Sequence, residues 1–391
     1  MMAITTSVSG RFAFRQLEMR TQTYTGAAGP LIDLSIGNPD GAMPLVVADA
    51  LSDATREPDV CGYPALRGDP RFLAAAAAYL MDRFGTSFDP AREIVALPGT
   101  KEGIARFLFT ALEPRDVVLI PDIHYPVYAR AAAVARAEVV LLETRADRDF
   151  FPDWSHVPAA LLRRARAMIL NYPNNPTGAV APLASWEQAV AFARLHDLVL
   201  VSDAAYAELG FGEIPPPSVF NVAGAREVAV EFHSLSKSFN MAGLRLGFVA
   251  GDTMQLEPFL SFRAGVVHGP PTAIQRAGAR ALAGYAELTA PTRAMYRSRR
   301  DVVVAALRGV GWDVRAPEGG MYVWFAAPDA VTDAADWEWT GSLLYETGIA
   351  LTPGSAFGPG GSGFVRLSLV RDEATLGEVA RRIGEYSRVL S

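Results

Sequence analysis

Lysine and cysteine are scarce in this 391-residue chain, which has one cysteine, Cys61, and two lysines beside 34 arginines. A lone cysteine excludes an internal disulfide and is typical of a reducing cytoplasm. A net charge of −6 without any basic run argues against nucleic-acid binding. The longest apolar stretches, such as 73–81, are far shorter than the roughly 20 residues that cross a bilayer, and the first 16 residues lack the apolar core of a secretory signal. We therefore expect a cytoplasmic protein that binds neither nucleic acid nor membranes.

Short β-branched runs alternate with helix-like segments through the middle of the chain. The strand-like runs cover 116–121, 138–143, 167–171, 198–203, 228–233 and 246–251, and helical spacing marks 104–112 and 182–195. Such alternation predicts an α/β fold, with a mostly parallel central sheet covered by helices on both faces.

The pattern changes after about residue 285. A helix is predicted over 291–308, strands over 321–325 and 364–369, and a last helix over 372–390. These elements predict a second, smaller α+β domain, and we expect the run 31–37 to pack with it or at its junction. The predicted division is an N-terminal segment over 1–45, a large domain over 46–285 and a small domain over 286–391.

Lys237, in the stretch SLSKSFNMAGLRLGF, is a candidate catalytic residue. A lysine amine can lose its proton and attack a carbonyl, whereas a guanidinium stays charged. A structural ion pair would tolerate the arginine that this chain prefers, so lysine here indicates a Schiff base. Ser234, Ser236 and Arg245 are suited to bind a phosphate beside it. The combination is typical of an enzyme that uses pyridoxal 5′-phosphate (PLP).

Two further motifs lie at the ends of predicted strands. In LPGTKEGIARFLF a strand gives way to a helix with Thr100 as its expected N-cap, so that the backbone N–H groups near 99–102 form an anion site in which the side chain of Lys101 need not act. Asp203 and Tyr206 follow the run 198–203 and reach the carboxyl edge of the sheet, where ligands bind in open α/β folds. The alternatives are an ordinary capped helix and a carboxylate that only caps a helix.

The order of these motifs resembles the class I/II aminotransferases of PLP-dependent fold type I, from about Ile32 to the C-terminus. GTKEGI, YPVY, NYPNNPTG, SLSKSFNMAGLRLGF and PGSAFG are similar to the motifs of diaminopimelate-type and related bacterial enzymes. The resemblance implies a seven-stranded, mostly parallel central sheet, PLP as cofactor, and no metal. It also implies transfer of an amino group from an amino acid to a 2-oxo acid, with 2-oxoglutarate as the expected acceptor.

The resemblance assigns a role to each matching residue. Lys237 would form the Schiff base and move the proton, and Asp203 would pair with the pyridine nitrogen of PLP. Tyr206 and Asn175 would bind the phenolic oxygen of the cofactor. The residues implied around the phosphate are Gly99, Thr100, Lys101, Ser234, Ser236 and Arg245.

Four more residues complete the implied site. Tyr125 would stack on the cofactor ring, and Arg366, with Gly37 and Asn175, would bind the substrate carboxylate. Tyr63 would reach the phosphate of the neighbouring subunit, which implies a homodimer with shared active sites.

Some departures from the family pattern leave alternatives open. Arg263 begins a segment where diaminopimelate-type members often have Lys-Ser-Asn or Lys-Thr-Asn, and the roles of His124 and His268 are not assigned. A substrate side chain could meet Arg263, His268, Arg20 or Tyr24. The same scaffold could also serve a β-lyase, decarboxylase, racemase or cyclase, or a PLP-binding regulator, although the early start of the resemblance leaves no expected place for a DNA-binding domain.

Overall fold

The computed structural model describes residues 13–26, 28–327 and 335–390, so residues 1–12 of the predicted N-terminal segment lie outside the described residues. The strands are β1 Ile32–Asp33, β2 Ile94–Leu97, β3 Val117–Pro121, β4 Glu138–Leu142, β5 Ala165–Asn171, β6 Val199–Asp203, β7 Ala229–Ser234, β8 Gly247–Gly251, β9 Tyr322–Ala326, β10 Ile349–Ala350, β11 Thr352–Pro353 and β12 Phe364–Ser368. The helices are α1 Ala13–Thr23, α2 Leu45–Ala54, α3 Pro70–Phe84, α4 Thr100–Ala111, α5 Val127–Val134, α6 Ala159–Leu162, α7 Leu183–Leu195, α8 Thr253–Val266, α9 Thr272–Ala283, α10 Tyr285–Gly309, α11 Ala335–Thr347 and α12 Glu373–Leu390. No helix in the described part of the chain is long and apolar enough to span a membrane.

A seven-stranded sheet forms the centre of the molecule, in the order β2-β8-β7-β6-β5-β3-β4. Strand β8 runs antiparallel to both of its neighbours, and the other pairs are parallel. The strands of this sheet are almost entirely buried because helices cover both faces, which explains the continuous apolar sequences of β2, β3 and β8. The prediction of a mostly parallel α/β sheet is confirmed.

Six of the seven strands, all except β8, end at one edge of the sheet. Because β2 and β7 are both antiparallel to β8, they run in the same direction as each other and as β3, β5 and β6. The segments that follow these five strands carry most of the candidate site residues. Parallel strands therefore bring together motifs that are far apart in sequence.

A second, smaller set of strands lies towards the C-terminus. Strands β11, β12 and β9 form an antiparallel sheet, and β1 pairs with β10 in parallel through Ile32 with Ile349 and Asp33 with Ala350. The early run 31–37 thus packs against C-terminal elements, as expected. The division into three segments stays a prediction.

Two predicted helix starts are wrong. Helix α10 begins at Tyr285 rather than at 291, and Pro291 lies inside it, flanked by the buried side chains Thr289 and Thr292. The helix continues through the proline because its buried side chains Tyr296, Val303 and Leu307 stabilise it by more than the one helical hydrogen bond that proline cannot donate. Helix α4 begins at Thr100, and its N-cap is Gly99, so Thr100 is not the cap.

Candidate active site

A cavity of about 760 Å³ opens at the carboxyl edge of the sheet. Most of the residues implied by the sequence line it: Gly37, Thr100, Lys101, Tyr125, Asn175, Asp203, Tyr206, Ser234, Ser236, Lys237, Arg245 and Arg366. Gly99 lies behind the guanidinium of Arg245, and Tyr63 is on the surface with 88% of its area exposed. Within the described ranges, no three His, Cys, Asp or Glu side chains gather as a metal site would require.

Lys237 follows β7 and extends its amine into the cavity. Its Nζ donates a hydrogen bond to the carbonyl oxygen of Gly37 at 2.5 Å. Burial lowers the pKa of the Lys237 amine from its usual value, and the nearby cations Arg366 and Arg245 lower it further. The amine is therefore more readily neutral than an exposed lysine, which is the state that attacks a carbonyl.

Asp203, the last residue of β6, is a buried carboxyl. Its Oδ2 accepts a hydrogen bond from the hydroxyl of Tyr128 at 2.7 Å, and its Oδ1 accepts one from the backbone N–H of Ala205 at 3.2 Å. Burial raises its pKa to about 6, because no arginine or lysine of the described chain pairs with it. The carboxyl therefore lacks a cation, and a protonated ring nitrogen would supply one.

The start of α4 and the guanidinium of Arg245 form a positively charged part of the cavity, here called the anion cradle. The first N–H groups of a helix have no acceptor within it and form the positive end of its dipole. Gly99, the N-cap, has φ +93, and a Cβ there would lie 2.3 Å from Nη2 of Arg245. Only glycine allows the guanidinium to approach the helix start so closely. Ser234 and Ser236 line the same cavity.

Arg366, on β12, is a guanidinium that is only 2% exposed. Its Nη1 donates to Oδ1 of Asn175 at 3.0 Å, and Nη2 donates to the carbonyl of Ser35 and to Oγ1 of Thr352. Its Nε has no hydrogen-bond partner, and the described residues give it no carboxylate. A buried guanidinium in this state is suited to bind the carboxylate of a ligand.

Aromatic rings surround these charged groups. Tyr125 lies 5.9 Å from Tyr128 in a T-shaped arrangement and 6.3 Å from Phe14, measured between ring centroids. Tyr206 and Tyr322 bring their hydroxyl oxygens to 3.0 Å. All of these aromatic residues line the cavity, so a ligand there would meet apolar ring surface as well as charge.

Sequence reasoning missed several residues of this cavity. Tyr128 is the second tyrosine of YPVY, a motif whose first tyrosine alone is predicted as a site residue. Asn171 is a second missed residue, and its side chain donates a hydrogen bond to the carbonyl of Asp203 at 2.7 Å. Tyr322 stands in a predicted strand without any motif of its own. The helical spacing of YPVY, which puts residues 125 and 128 on one side of a turn, is the signal that indicates Tyr128.

The residues left open by the sequence lie outside the cavity of this chain. His124 is buried, with Nδ1 2.8 Å from the carbonyl of Pro121, and burial lowers its pKa to about 4. Arg263 is buried in α8 and donates to the carbonyl of Ala96. Arg20 donates to the carbonyl of Trp337, and the hydroxyl of Tyr24 donates to Gly29.

His268 instead stacks on Tyr63. Their ring centroids are 4.7 Å apart and the planes differ by 19°. The two stacked rings form an exposed aromatic surface that lies outside the cavity of their own chain.

A lysine amine with a lowered pKa, a buried carboxyl without a cation and an anion cradle share one cavity at the edge of an α/β sheet, and this donor set fits PLP. These features define the class as a PLP-dependent transferase. The chain belongs to the aminotransferase class I and II family, whose sequence profile matches residues 29–383.

Individual relatives agree with this membership. The chain is similar to the LL-diaminopimelate aminotransferase of Dehalococcoides mccartyi, with 37% identity over 93% of this chain and 93% of that protein. Among solved structures it is similar to a probable N-succinyldiaminopimelate aminotransferase from Thermus thermophilus, with a TM-score of 0.89 and 38% identity over 95% of this chain and 99% of the other. It is also similar to substrate-bound BacF from Bacillus subtilis, with a TM-score of 0.92 and 33% identity over 98% of each chain.

The protein is therefore a PLP-dependent aminotransferase of fold type I, acting on an amino acid and a 2-oxo acid. The predictions of family, fold type, enzyme class and cofactor are confirmed.

Proposed function

We propose that Lys237 is the catalytic residue of this aminotransferase. It would hold PLP through its amine and, once displaced by the substrate, move a proton from the substrate Cα and return it on the cofactor side. The observation that carries the proposal is the position of its Nζ, 2.5 Å from the carbonyl of Gly37, in the same cavity as the unpaired Asp203 and Arg366.

The other charged residues would orient the cofactor and adjust its electronic properties. PLP, when bound, supplies a ring that accepts electrons from the substrate Cα. Asp203 would keep the pyridine nitrogen protonated, since a carboxylate beside it stabilises the positive charge. Tyr206 and Asn175 would bind the phenolic oxygen, and Tyr125 would cover one face of the ring.

The phosphate would be held at the start of α4. The residues proposed for it are Gly99, Thr100, Lys101, Ser234, Ser236 and Arg245. The positive φ of Gly99 and the closeness of Arg245 to it support this assignment.

Arg366, with Asn175 and the backbone of Gly37, would bind the substrate carboxylate. The orphan Nε of Arg366 and its lack of an ion pair in the described chain support this role. The acceptor proposed is 2-oxoglutarate, which would yield glutamate.

We also propose that the enzyme is a cytoplasmic homodimer with shared active sites. Tyr63 is 88% exposed and is held outward by stacking on His268, so its side chain is available to a neighbouring subunit. Val266, two residues before His268, is 62% exposed and adds apolar surface nearby. The single cysteine, which suits a reducing compartment, supports the location.

The test is a half-reaction screen with single amino acids on the PLP form. Conversion of the bound cofactor's visible absorbance identifies the donor, and glutamate appears when 2-oxoglutarate is added. Pyruvate with ammonia, and no glutamate, would instead indicate a lyase.

Lys237→Ala should lose conversion and regain part of it with added methylamine, which supplies a neutral amine. Lys237→Arg should stay inactive, because a guanidinium does not give up its proton. If Lys237→Arg turns over at the wild-type rate, the assignment of Lys237 is wrong.

A further inference from the structure

Tyr322 is a buried cavity residue that contacts several site residues at once. It is the first residue of β9, and the strand register pairs Tyr322 with Ser368 and Trp324 with Arg366. Because alternate residues share a face of the sheet, Tyr322 and Arg366 are diagonal neighbours on one face. Their side chains therefore meet at the base of the cavity.

The ring of Tyr322 covers the guanidinium of Arg366. The distance from Cζ of Arg366 to the ring centroid is 4.2 Å, the shortest of the three aromatic contacts that this guanidinium makes, the others being to Phe357 and Phe14. A cation over an aromatic face is attracted to the ring, most strongly where water is excluded. The ring thus fixes the plane in which Arg366 meets a carboxylate.

The hydroxyl of Tyr322 points to the other functional groups. Its oxygen is 3.0 Å from that of Tyr206, and a Cβ at Gly37 would lie only 2.1 Å from it. The carbonyl of Gly37 is the acceptor for Nζ of Lys237. One hydroxyl therefore lies against both the Tyr206 side chain and the backbone that binds the lysine amine.

The two hydroxyls constrain each other's proton. Each tyrosine has a single O–H, so Tyr206 can donate to a ligand only if Tyr322 donates the proton of the bond between them. Burial, followed by the neighbouring Tyr322, raises the pKa of Tyr206 well above its usual value, so Tyr206 keeps its proton and acts as a donor. The donor strength of Tyr206 then depends on Tyr322.

We propose that Tyr322 is a positioning residue that couples the carboxylate bound at Arg366 to the hydroxyl of Tyr206. Its ring orients the guanidinium, and its hydroxyl directs the Tyr206 proton to the cofactor. This inference rests on the proposed roles of Tyr206 and Arg366. It explains why a tyrosine, rather than a phenylalanine that would fill the same space, stands at the start of β9.

Tyr322→Phe tests the hydroxyl alone. The measurement is the pH midpoint of the visible absorbance of bound PLP, without substrate. Without the Tyr322 hydroxyl, Tyr206 becomes a weaker hydrogen-bond donor. It then gives less stabilisation to the form of the cofactor whose oxygen carries more negative charge. The midpoint should therefore rise by about 0.5–1 pH unit, equivalent to a 3- to 10-fold change. Binding of the unreactive carboxylate glutarate should weaken less than 3-fold, since the ring is kept.

Tyr322→Leu tests the ring. The dissociation constant for glutarate should rise by about 5- to 30-fold, because the guanidinium loses its closest aromatic contact. Should this variant fail to fold, the Tyr322→Phe midpoint decides alone.

Two further variants make the outcome unambiguous. Tyr296→Phe removes another buried tyrosine hydroxyl of the same apolar core, one with no hydrogen-bond partner and outside the cavity, and should change neither quantity. If Tyr206→Phe moves the midpoint and Tyr322→Phe does not, the inference is overturned and the proposed function stands. If Tyr206→Phe itself leaves the midpoint unmoved, the proposed role of Tyr206 is wrong, and the inference falls with it.

Discussion

Asp203 and Arg366 carry buried charges in this cavity, and neither forms an ion pair within the described chain. Asp203 accepts hydrogen bonds only from neutral donors, and Arg366 donates to an amide, a carbonyl and a hydroxyl. Charges of this kind destabilise the empty protein, since desolvation is not compensated by an ion pair. A cofactor with a positive ring nitrogen would relieve the first charge and a substrate with a negative carboxylate the second, so part of the affinity for each arises from a charge that is already in position.

The buried carboxyl at 203 predicts a pH-dependent stability of the cofactor-free protein. Burial raises the pKa of Asp203 from 3.8 to about 6, so between these values the folded state binds more protons than the unfolded state. Stability due to this group is therefore full below pH 4 and is lost as the pH rises through 6. The loss should amount to roughly 3 kcal/mol of unfolding free energy by pH 7.

Denaturant unfolding of cofactor-free wild type and Asp203→Asn at pH 4.5 and pH 7 measures this loss. The asparagine variant should gain stability relative to wild type as the pH rises. Saturating PLP should reduce the difference, because a nearby cation lowers the pKa of the carboxyl. A wild-type-to-variant difference that is constant with pH would contradict the prediction.

Gly99 is a second residue whose replacement should have a specific effect, in this case on the affinity for PLP. An alanine there would be strained at φ +93, and its Cβ would displace the Arg245 guanidinium that lies 2.3 Å from the ideal position. Gly99→Ala should therefore weaken PLP binding by about 10-fold or more, measured by titration of the cofactor-free protein. Gly85→Ala, at the C-cap of α3 with φ +68 and no atom beyond its chain neighbours within 4 Å of its ideal Cβ, is the matched control and should bind normally. Equal affinities for the two variants would rule out the close approach as the reason for glycine.

At the scale of elements, the sequence predicted the strands far better than the helix starts. The strands of the central sheet are mostly apolar because both of their faces are buried, so the predicted runs and the observed strands agree within a few residues, although β7 also buries Glu231 and His233. Helix α10 was predicted too short, because a local signal at Pro291 was outweighed by packing that only the folded chain reveals. For the same reason Tyr322 was missed, since its role depends on a strand register and not on its neighbours in sequence.

The short segment before Tyr63 depends on one buried arginine of α9. Arg276 pairs with Asp59 and Glu57, which precede Tyr63, and with Asp69 at the start of α3. Arg276→Ala removes all three contacts, so the segment should loosen. The melting temperature should fall by roughly 2–4 °C, and PLP should dissociate faster.

Arg71→Ala is the matched control for this change. Arg71 also pairs with Glu57, but its side chain is 62% exposed, and exposed pairs contribute little. Its melting temperature should stay within about 1 °C of wild type. If the two variants melt alike, the buried arginine does not anchor the segment.

At the scale of the whole molecule, some site residues can be predicted from a single chain and others cannot. The motifs that follow parallel strands could be predicted from sequence, because the direction of the sheet brings such residues to one edge. Tyr63 is different, since its exposed ring lies outside the cavity of its own chain. The proposed dimer would give this residue a place in the active site of a second copy, which the single-chain fold does not determine.

Complementation between two inactive chains tests that arrangement. Lys237→Ala lacks the amine, and Tyr63→Ala lacks the residue proposed to cross the interface. In a mixed dimer, the site that keeps Lys237 would receive Tyr63 from the other chain and be complete, while the second site would lack both. A purified heterodimer with two different affinity tags should therefore recover roughly half the activity of the wild-type dimer, because one of two symmetric sites is intact. If Tyr63 acts within its own chain, each site of the heterodimer lacks one residue, and its activity would not exceed the mean of the two parents.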